Sequence, residues 1–137
     1  MKIVIDCNVL ISAGLTNGTC RKALIEIAKN HKIYCSEEIF QEWAETIKKK
    51  KFAKDFKKLK KLVLNIAKQS NFIKIVREKG DLNLPDKKDE IYLRTAFSAG
   101  AKLLIIGNLK HFPKREYCEV EVINPSEFCH RMSICLP

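Results

Sequence analysis

Short apolar runs alternate along this chain with longer stretches in which apolar residues recur every three or four positions. The runs at residues 2–6, 31–35, 71–76, 102–106 and 119–123 read as strands. The stretches at 8–14, 18–29, 36–49, 53–69, 86–100 and 125–132 read as helices, and 109–112 as one helical turn stopped by Pro113. Residues 80–85 read as loop. Two helix starts carry their own punctuation. Ser36 is a good N-cap, with Glu37 and Glu38 in the first turn where the helix dipole favours them. Asn124 caps the last helix, with Pro125 at its first position. Strands alternating with helices predict an α/β fold whose mostly parallel sheet is covered on both faces. The first and fourth runs are almost wholly apolar, as central strands buried on both sides should be.

The length of 137 residues predicts one domain spanning residues 1–137, which buries roughly two-thirds of its unfolded surface. No apolar run approaches a membrane span, and the chain opens directly on strand-like sequence without a signal peptide, so no membrane association and a cytoplasmic location are expected. Six cysteines, at 7, 20, 35, 118, 129 and 135, show no C-x-x-C and no metal-finger spacing, and read as small hydrophobes. The net charge of +10 favours a nucleic acid or an acidic protein as partner.

Against that basic background three acids stand out. Asp6 ends the first strand, where an open α/β sheet gathers a site in its crevice. An aspartate ending a buried strand must be hydrogen-bonded or bound to a cation, and capping the next helix is the competing explanation. Asn8 could orient Asp6. In the 36–49 helix, Ile39, Phe40, Trp43, Ala44 and Ile47 form one stripe. Glu38 and Glu45 lie about 170° from its centre, and Glu42 about 130°, nearer the edge. Asp89 precedes Leu93, Ala96, Phe97 and Gly100 by 4, 7, 8 and 11 positions, so it points to the buried side of its helix. Asp86-Lys87-Lys88-Asp89 also resembles a capping box, which would make Asp89 local structure. Glu90 stands four residues before Arg94, an arrangement for a surface ion pair.

Five segments in order resemble PIN-domain nucleases, and among them the VapC-like toxins of toxin–antitoxin pairs. They are Ile5-Asp6-Cys7-Asn8-Val9-Leu10-Ile11-Ser12, Ser36-Glu37-Glu38-Ile39-Phe40-Gln41-Glu42, Asp86-Lys87-Lys88-Asp89-Glu90 leading to Ala99-Gly100-Ala101, Leu104 through Phe112, and Ile123-Asn124-Pro125-Ser126-Glu127-Phe128. The resemblance implies a three-layer α/β/α sandwich around a five-stranded parallel sheet. It also implies a metal-dependent ribonuclease site at the strand carboxyl ends, with Asp6, Glu42 and Asp89 as its acids. Many members of the family carry a fourth acid where this chain has Asn108, which can offer a cation its carbonyl oxygen but no charge.

The expected cofactor is Mg²⁺ or Mn²⁺, held by Asp6, Glu42 and Asp89, with Asn108 as a weak further ligand. The expected reaction is endonucleolytic hydrolysis of RNA. Residues 48–61 hold nine lysines against one acid. Lys48, Lys49, Lys50, Lys51 and Lys110 are the candidates for contact with the RNA backbone, and a solvated helix face is the plain alternative. A cognate antitoxin is the expected protein partner, and homodimerisation is common in such a family. His111 has no carboxylate in sequence reach and reads as a surface or turn residue. The main alternative is a nucleic-acid-binding or regulatory PIN-like module of weak or no activity, supported by Asn108. Phosphotransfer receivers and aspartate phosphatases want adjacent acids or Asp-x-Asp at the first strand, and Asp6-Cys7-Asn8 offers neither.

Overall fold

A computed structural model describes residues 1–76 and 82–134. The chain forms β1 (Lys2–Ile5), α1 (Cys7–Leu15), α2 (Thr19–Asn30), β2 (Lys32–Cys35), α3 (Glu37–Thr46), α4 (Phe56–Gln69), β3 (Asn71–Phe72), α5 (Glu90–Ala99), β4 (Leu103–Ile105), β5 (Glu116–Tyr117), β6 (Val120–Ile123) and α6 (Pro125–Arg131). Short 3-10 turns occupy Lys50–Asp55, Lys87–Asp89 and Leu109–His111. The sheet runs β3-β2-β1-β4-β6-β5. All neighbours are parallel except β5, which pairs antiparallel with β6.

The five expected strands are all present in one α/β sheet covered on both faces. Ile3, Val4 and Ile5 on β1 and Leu103, Leu104 and Ile105 on β4 are all buried. Helix α5 lies across β1, β2, β4 and β6, while α1, α2 and α6 pack in succession against one another. The chain leaves β1 towards β2 on one side and returns later to β4 on the other. The switch point of this doubly wound sheet therefore lies between β1 and β4, where such folds open a crevice at the strand carboxyl ends.

Two hydroxyls fix the helix that carries Glu42. Ser36 Oγ accepts the Ile39 N–H at 3.3 Å and so caps α3. The same oxygen meets Thr95 Oγ1 of α5 at 2.8 Å, with both residues fully buried. The start of α3 is thereby tied to the middle of α5. Ile39, Trp43 and Ile47 face the core as the stripe predicts, while Phe40 and Ala44 are half-buried.

Several boundaries differ from the sequence reading. Helix α3 ends at Thr46 rather than near Lys49, because Lys48 N–H and Lys49 N–H turn back to the Glu45 and Thr46 carbonyls. The helix expected at 53–69 is a 3-10 turn followed by α4. The third strand keeps only Asn71–Phe72. Past the Ile73 N–H bond to Cys35 O, the chain leaves the sheet edge and Val76 N–H donates to Ser98 Oγ at 2.9 Å. Strand β5 is invisible to periodicity, since two residues carry no period, and the turn that creates it sets Cys118 at φ 54°. On α5 the buried arc comprises Tyr92, Leu93, Thr95, Ala96 and Ala99. Phe97 is half-buried, and Gly100 is the left-handed C-cap at φ 68° instead of a core position. The arc is rotated because α5 packs on α3 as well as on the sheet. The expected loop at 80–85 lies partly outside the described residues, as does Cys135. Of the described cysteines, Cys7, Cys35 and Cys129 are buried free thiols. No described helix is long and apolar enough to cross a membrane.

Candidate active site

Asp6 sits at the switch point for a local reason. It ends β1, its N–H bonds to Ile105 O of β4 at 3.0 Å, and its side chain caps α1. Oδ1 accepts the Asn8 N–H at 2.7 Å, and Oδ2 accepts the Gly107 N–H at 3.2 Å. The carboxylate that caps α1 also lines the cleft at the switch point. Asn8 orients it through its backbone, and its own side chain borders the cleft. Gly107 leaves room here, because a Cβ would stand 3.1 Å from Asn8 Cβ and push it back by a few tenths of an ångström.

Glu42 and Asp89 reach the same cleft, a cavity of about 470 Å³, from α3 and from the turn that opens α5. Glu42 is half-buried, and the Tyr92 hydroxyl donates to its Oε1. That hydroxyl also accepts the Cys7 N–H at 3.2 Å. Asp86, not Asp89, does the local capping, with Oδ1 accepting the Lys88 N–H at 2.9 Å. This frees Asp89 to turn inward. Its Oδ2 lies 3.2 Å from His111 Nδ1, an ion-pair distance without hydrogen-bond alignment, so this buried oxygen has no hydrogen-bond donor among the described residues.

Burial pushes all three carboxyls up from the usual range. For Asp6, the bonds from Asn8 and Gly107 offset part of that effect. For Glu42, the Tyr92 hydrogen bond pulls back and the Asp6 charge adds to the rise. Asp89 is pushed up to about 6, by burial first; His111 opposes this, and Asp6, Asp86 and Glu42 reinforce it. Asp6 thus raises Glu42, and Asp6, Asp86 and Glu42 together raise Asp89, as like charges in one crevice must.

The cleft also takes in Glu45 and Asp86, against Lys49, Lys88 and His111. Five carboxylates against two lysines give it a formal charge of −3 with the histidine neutral, inside a chain of +10. An oxygen-only acidic set with one buried oxygen that accepts no hydrogen bond is the chemistry a hard divalent cation needs. Among the described residues no three His, Cys, Asp or Glu side chains already stand close enough to close on one ion. The backbone bonds to Asp6 and the tyrosine bond to Glu42 hold the acids around the cavity rather than in mutual contact.

Of the remaining candidates, Lys49 lines the cleft, while Lys48, Lys50 and Lys51 are exposed beyond it. Among the described residues none of the lysines from 48 to 61 makes an ion pair. Asn108 is exposed and not part of the cleft lining. Its Oδ1 accepts the Lys110 N–H at 3.0 Å and caps the 109–111 turn, and Lys110 itself is exposed. That capping bond occupies Asn108 Oδ1 within its own turn. Glu90 pairs with Arg94 at 2.9 Å, as its spacing predicts. Sequence reasoning missed Tyr92, Gly107, Lys88 and the approach of His111 to Asp89. Only Tyr92 left a signal, as an amphipathic ring one residue before Leu93 and four before Ala96, whose hydroxyl must find a partner when buried.

The model of the PIN domain family matches residues 2–110. The chain belongs to the PIN-domain family. PIN domains are in general nucleases. The matched stretch includes Asp6, Glu42 and Asp89 and stops one residue before His111. A chain in the structure of VapBC2 from Rickettsia felis, bound to a DNA fragment from their promoter, is similar to this PIN domain. The TM-score is 0.62, with 15% identity over 90% of this chain and 98% of that one. At that identity the likeness concerns the fold. A search of curated proteins finds no match.

Proposed function

We propose that this PIN domain is a divalent-metal-dependent endoribonuclease and the toxin of a toxin–antitoxin pair. The observation that carries the reading is the convergence of Asp6, Glu42 and Asp89 on one acidic cleft at the β1/β4 switch point. Their carboxylate oxygens suit Mg²⁺ or Mn²⁺ in donor type, with Asp6 and Asp89 closing on the ion as direct ligands and Glu42 binding directly or through water. When bound, such an ion supplies Lewis-acid polarisation of the scissile phosphate and a nucleophilic water at neutral pH.

The chain's own residues do the rest. The N–H groups of Asn8 and Gly107 hold the Asp6 carboxylate in one orientation, which costs no reorganisation during the reaction. Glu42, partly desolvated, is placed to orient the attacking water. Lys49 and Lys88 on the cleft wall offset the charge of an entering phosphate, and Lys48, Lys50 and Lys51 extend that positive surface outward. The unpaired lysines favour RNA as the substrate class and leave a basic surface for an acidic antitoxin segment. The resemblance to VapC-like chains and the likeness of fold to a chain in the VapBC2 structure support that partner.

Asp6→Asn keeps the cap on α1 and removes the charge. Cleavage of single-stranded RNA in Mg²⁺ or Mn²⁺ is expected to fall to background. Undiminished cleavage takes Asp6 out of the mechanism. The neutral Asn108, whose Oδ1 caps the 109–111 turn, favours a second reading of a module that binds RNA without cutting it. RNA binding with neither Mn²⁺ affinity nor cleavage in the wild type establishes that alternative.

A further inference from the structure

We infer that Tyr92 is a positioning residue of this centre, whose single hydroxyl sets the Glu42 carboxylate against the chain that carries Asp6. The inference rests on the metal-dependent reading above. Tyr92 is 1% exposed and lies in the first turn of α5, three residues after Asp89. Its hydroxyl touches the other two acid-bearing segments. It meets Cys7 N–H, the residue next to Asp6, at 3.2 Å, and it meets Glu42 Oε1. One side chain thus joins the segments of all three acids.

The direction of these bonds is forced. A backbone N–H can only donate, so Cys7 must give its proton to the tyrosine oxygen. The hydroxyl's one proton is then left for the carboxylate. Glu42 is held by Oε1, and Oε2 remains for the cleft. Without the hydroxyl, nothing else among the described hydrogen bonds holds the Glu42 side chain. A phenylalanine would fill the same space and release the carboxylate to rotate.

The test is a Mn²⁺ titration followed by the electron paramagnetic resonance signal of the free ion. Outer partners of metal ligands are worth roughly 10–100-fold in affinity. Tyr92→Phe is expected to weaken Mn²⁺ binding by about 10-fold or more. Tyr117→Phe also removes a buried hydroxyl that accepts a backbone N–H, from Lys114 at 3.0 Å, and is expected to change nothing. In a Glu42→Ala background, Tyr92→Phe is expected to add no further loss, because the group it positions is gone. Equal affinity of Tyr92→Phe and wild type, or the same loss in both backgrounds, overturns the inference. Should Tyr92→Phe fail to fold by circular dichroism, the wild type answers instead. Its Tyr92 hydroxyl proton, shielded from exchange, is expected to shift in the NMR spectrum on adding Mg²⁺, and an unmoved resonance is contrary. Wild-type protein that binds no Mn²⁺ overturns this inference and the proposed function together. Wild-type binding with an indifferent Tyr92→Phe overturns this inference alone.

Discussion

Removing a carboxylate from the cleft should stabilise the metal-free fold while it abolishes cation binding. Asp89→Asn is the cleanest case, because the amide has the same shape and Asp89 caps nothing. The folded chain holds the Asp89 proton up to about 6, against an ordinary value of 3.8. At about 1.36 kcal/mol per pH unit, that difference bounds the penalty of the ionised form at roughly 3 kcal/mol. The side chain is still 17% exposed and water screens it, so a realistic share is about 1–2 kcal/mol. In a domain of this size that corresponds to roughly 3–8 °C in Tm. The sign follows from proton linkage. The folded state binds this proton more tightly than the unfolded chain, so the contribution of Asp89 to stability is greatest below about pH 4 and is lost as the pH rises through about 6. The Asn variant lacks that decline. Thermal melts in EDTA from pH 4 to pH 8 should show the two proteins alike at pH 4 and the variant more stable at pH 7. Saturating Mn²⁺ should raise the wild-type Tm at pH 7 and leave the variant's nearly unmoved. A variant less stable than wild type at pH 7 in EDTA refutes the claim that burial and mutual repulsion destabilise these acids.

Gly107→Ala places a methyl 3.1 Å from Asn8 Cβ and shifts the N–H that holds Asp6. Its melt should report a loss of about 1 kcal/mol, while its RNA cleavage should fall by roughly 10-fold or more; unchanged cleavage would detach Gly107 from the site. Changing Lys48, Lys49, Lys50 and Lys51 together to Gln should leave the fold intact and weaken single-stranded RNA binding. It should also flatten the salt dependence of log K by up to about 3, at roughly 0.7 for each phosphate no longer neutralised, and an unaltered slope assigns those lysines to solvent.

What could be read in the sequence divides by the kind of signal involved. The parallel sheet was legible because its central strands are continuous apolar runs, as at Ile3–Ile5 and Leu103–Ile105. Asp6 was legible because a buried strand has no use for an acid at its end. Glu42 was marked by its angle, at the edge of the stripe led by Ile39 and Trp43, and by the resemblance of its segment to the family's second acidic stretch. Relations between distant segments left no periodic trace. Gly107 bonds to Asp6 across 101 positions, and Tyr92 bonds to Glu42 across 50. His111 reaches Asp89 only because the turn at Leu109–His111 folds over the cleft. Asn108 carries a local role that the motif did not show. The motif marked it as a weak ligand, and in the fold its carbonyl oxygen caps its own turn.

The central claim is that Asp6, Glu42 and Asp89 share one hard cation. A crystal soaked in Mn²⁺ and measured at the manganese absorption edge tests it directly. The account predicts an anomalous peak inside the cleft between β1 and β4, with oxygens of Asp6 and Asp89 as ligands and Glu42 bound directly or through one water. A cleft without manganese at saturating concentration, or a peak held by other residues, contradicts it.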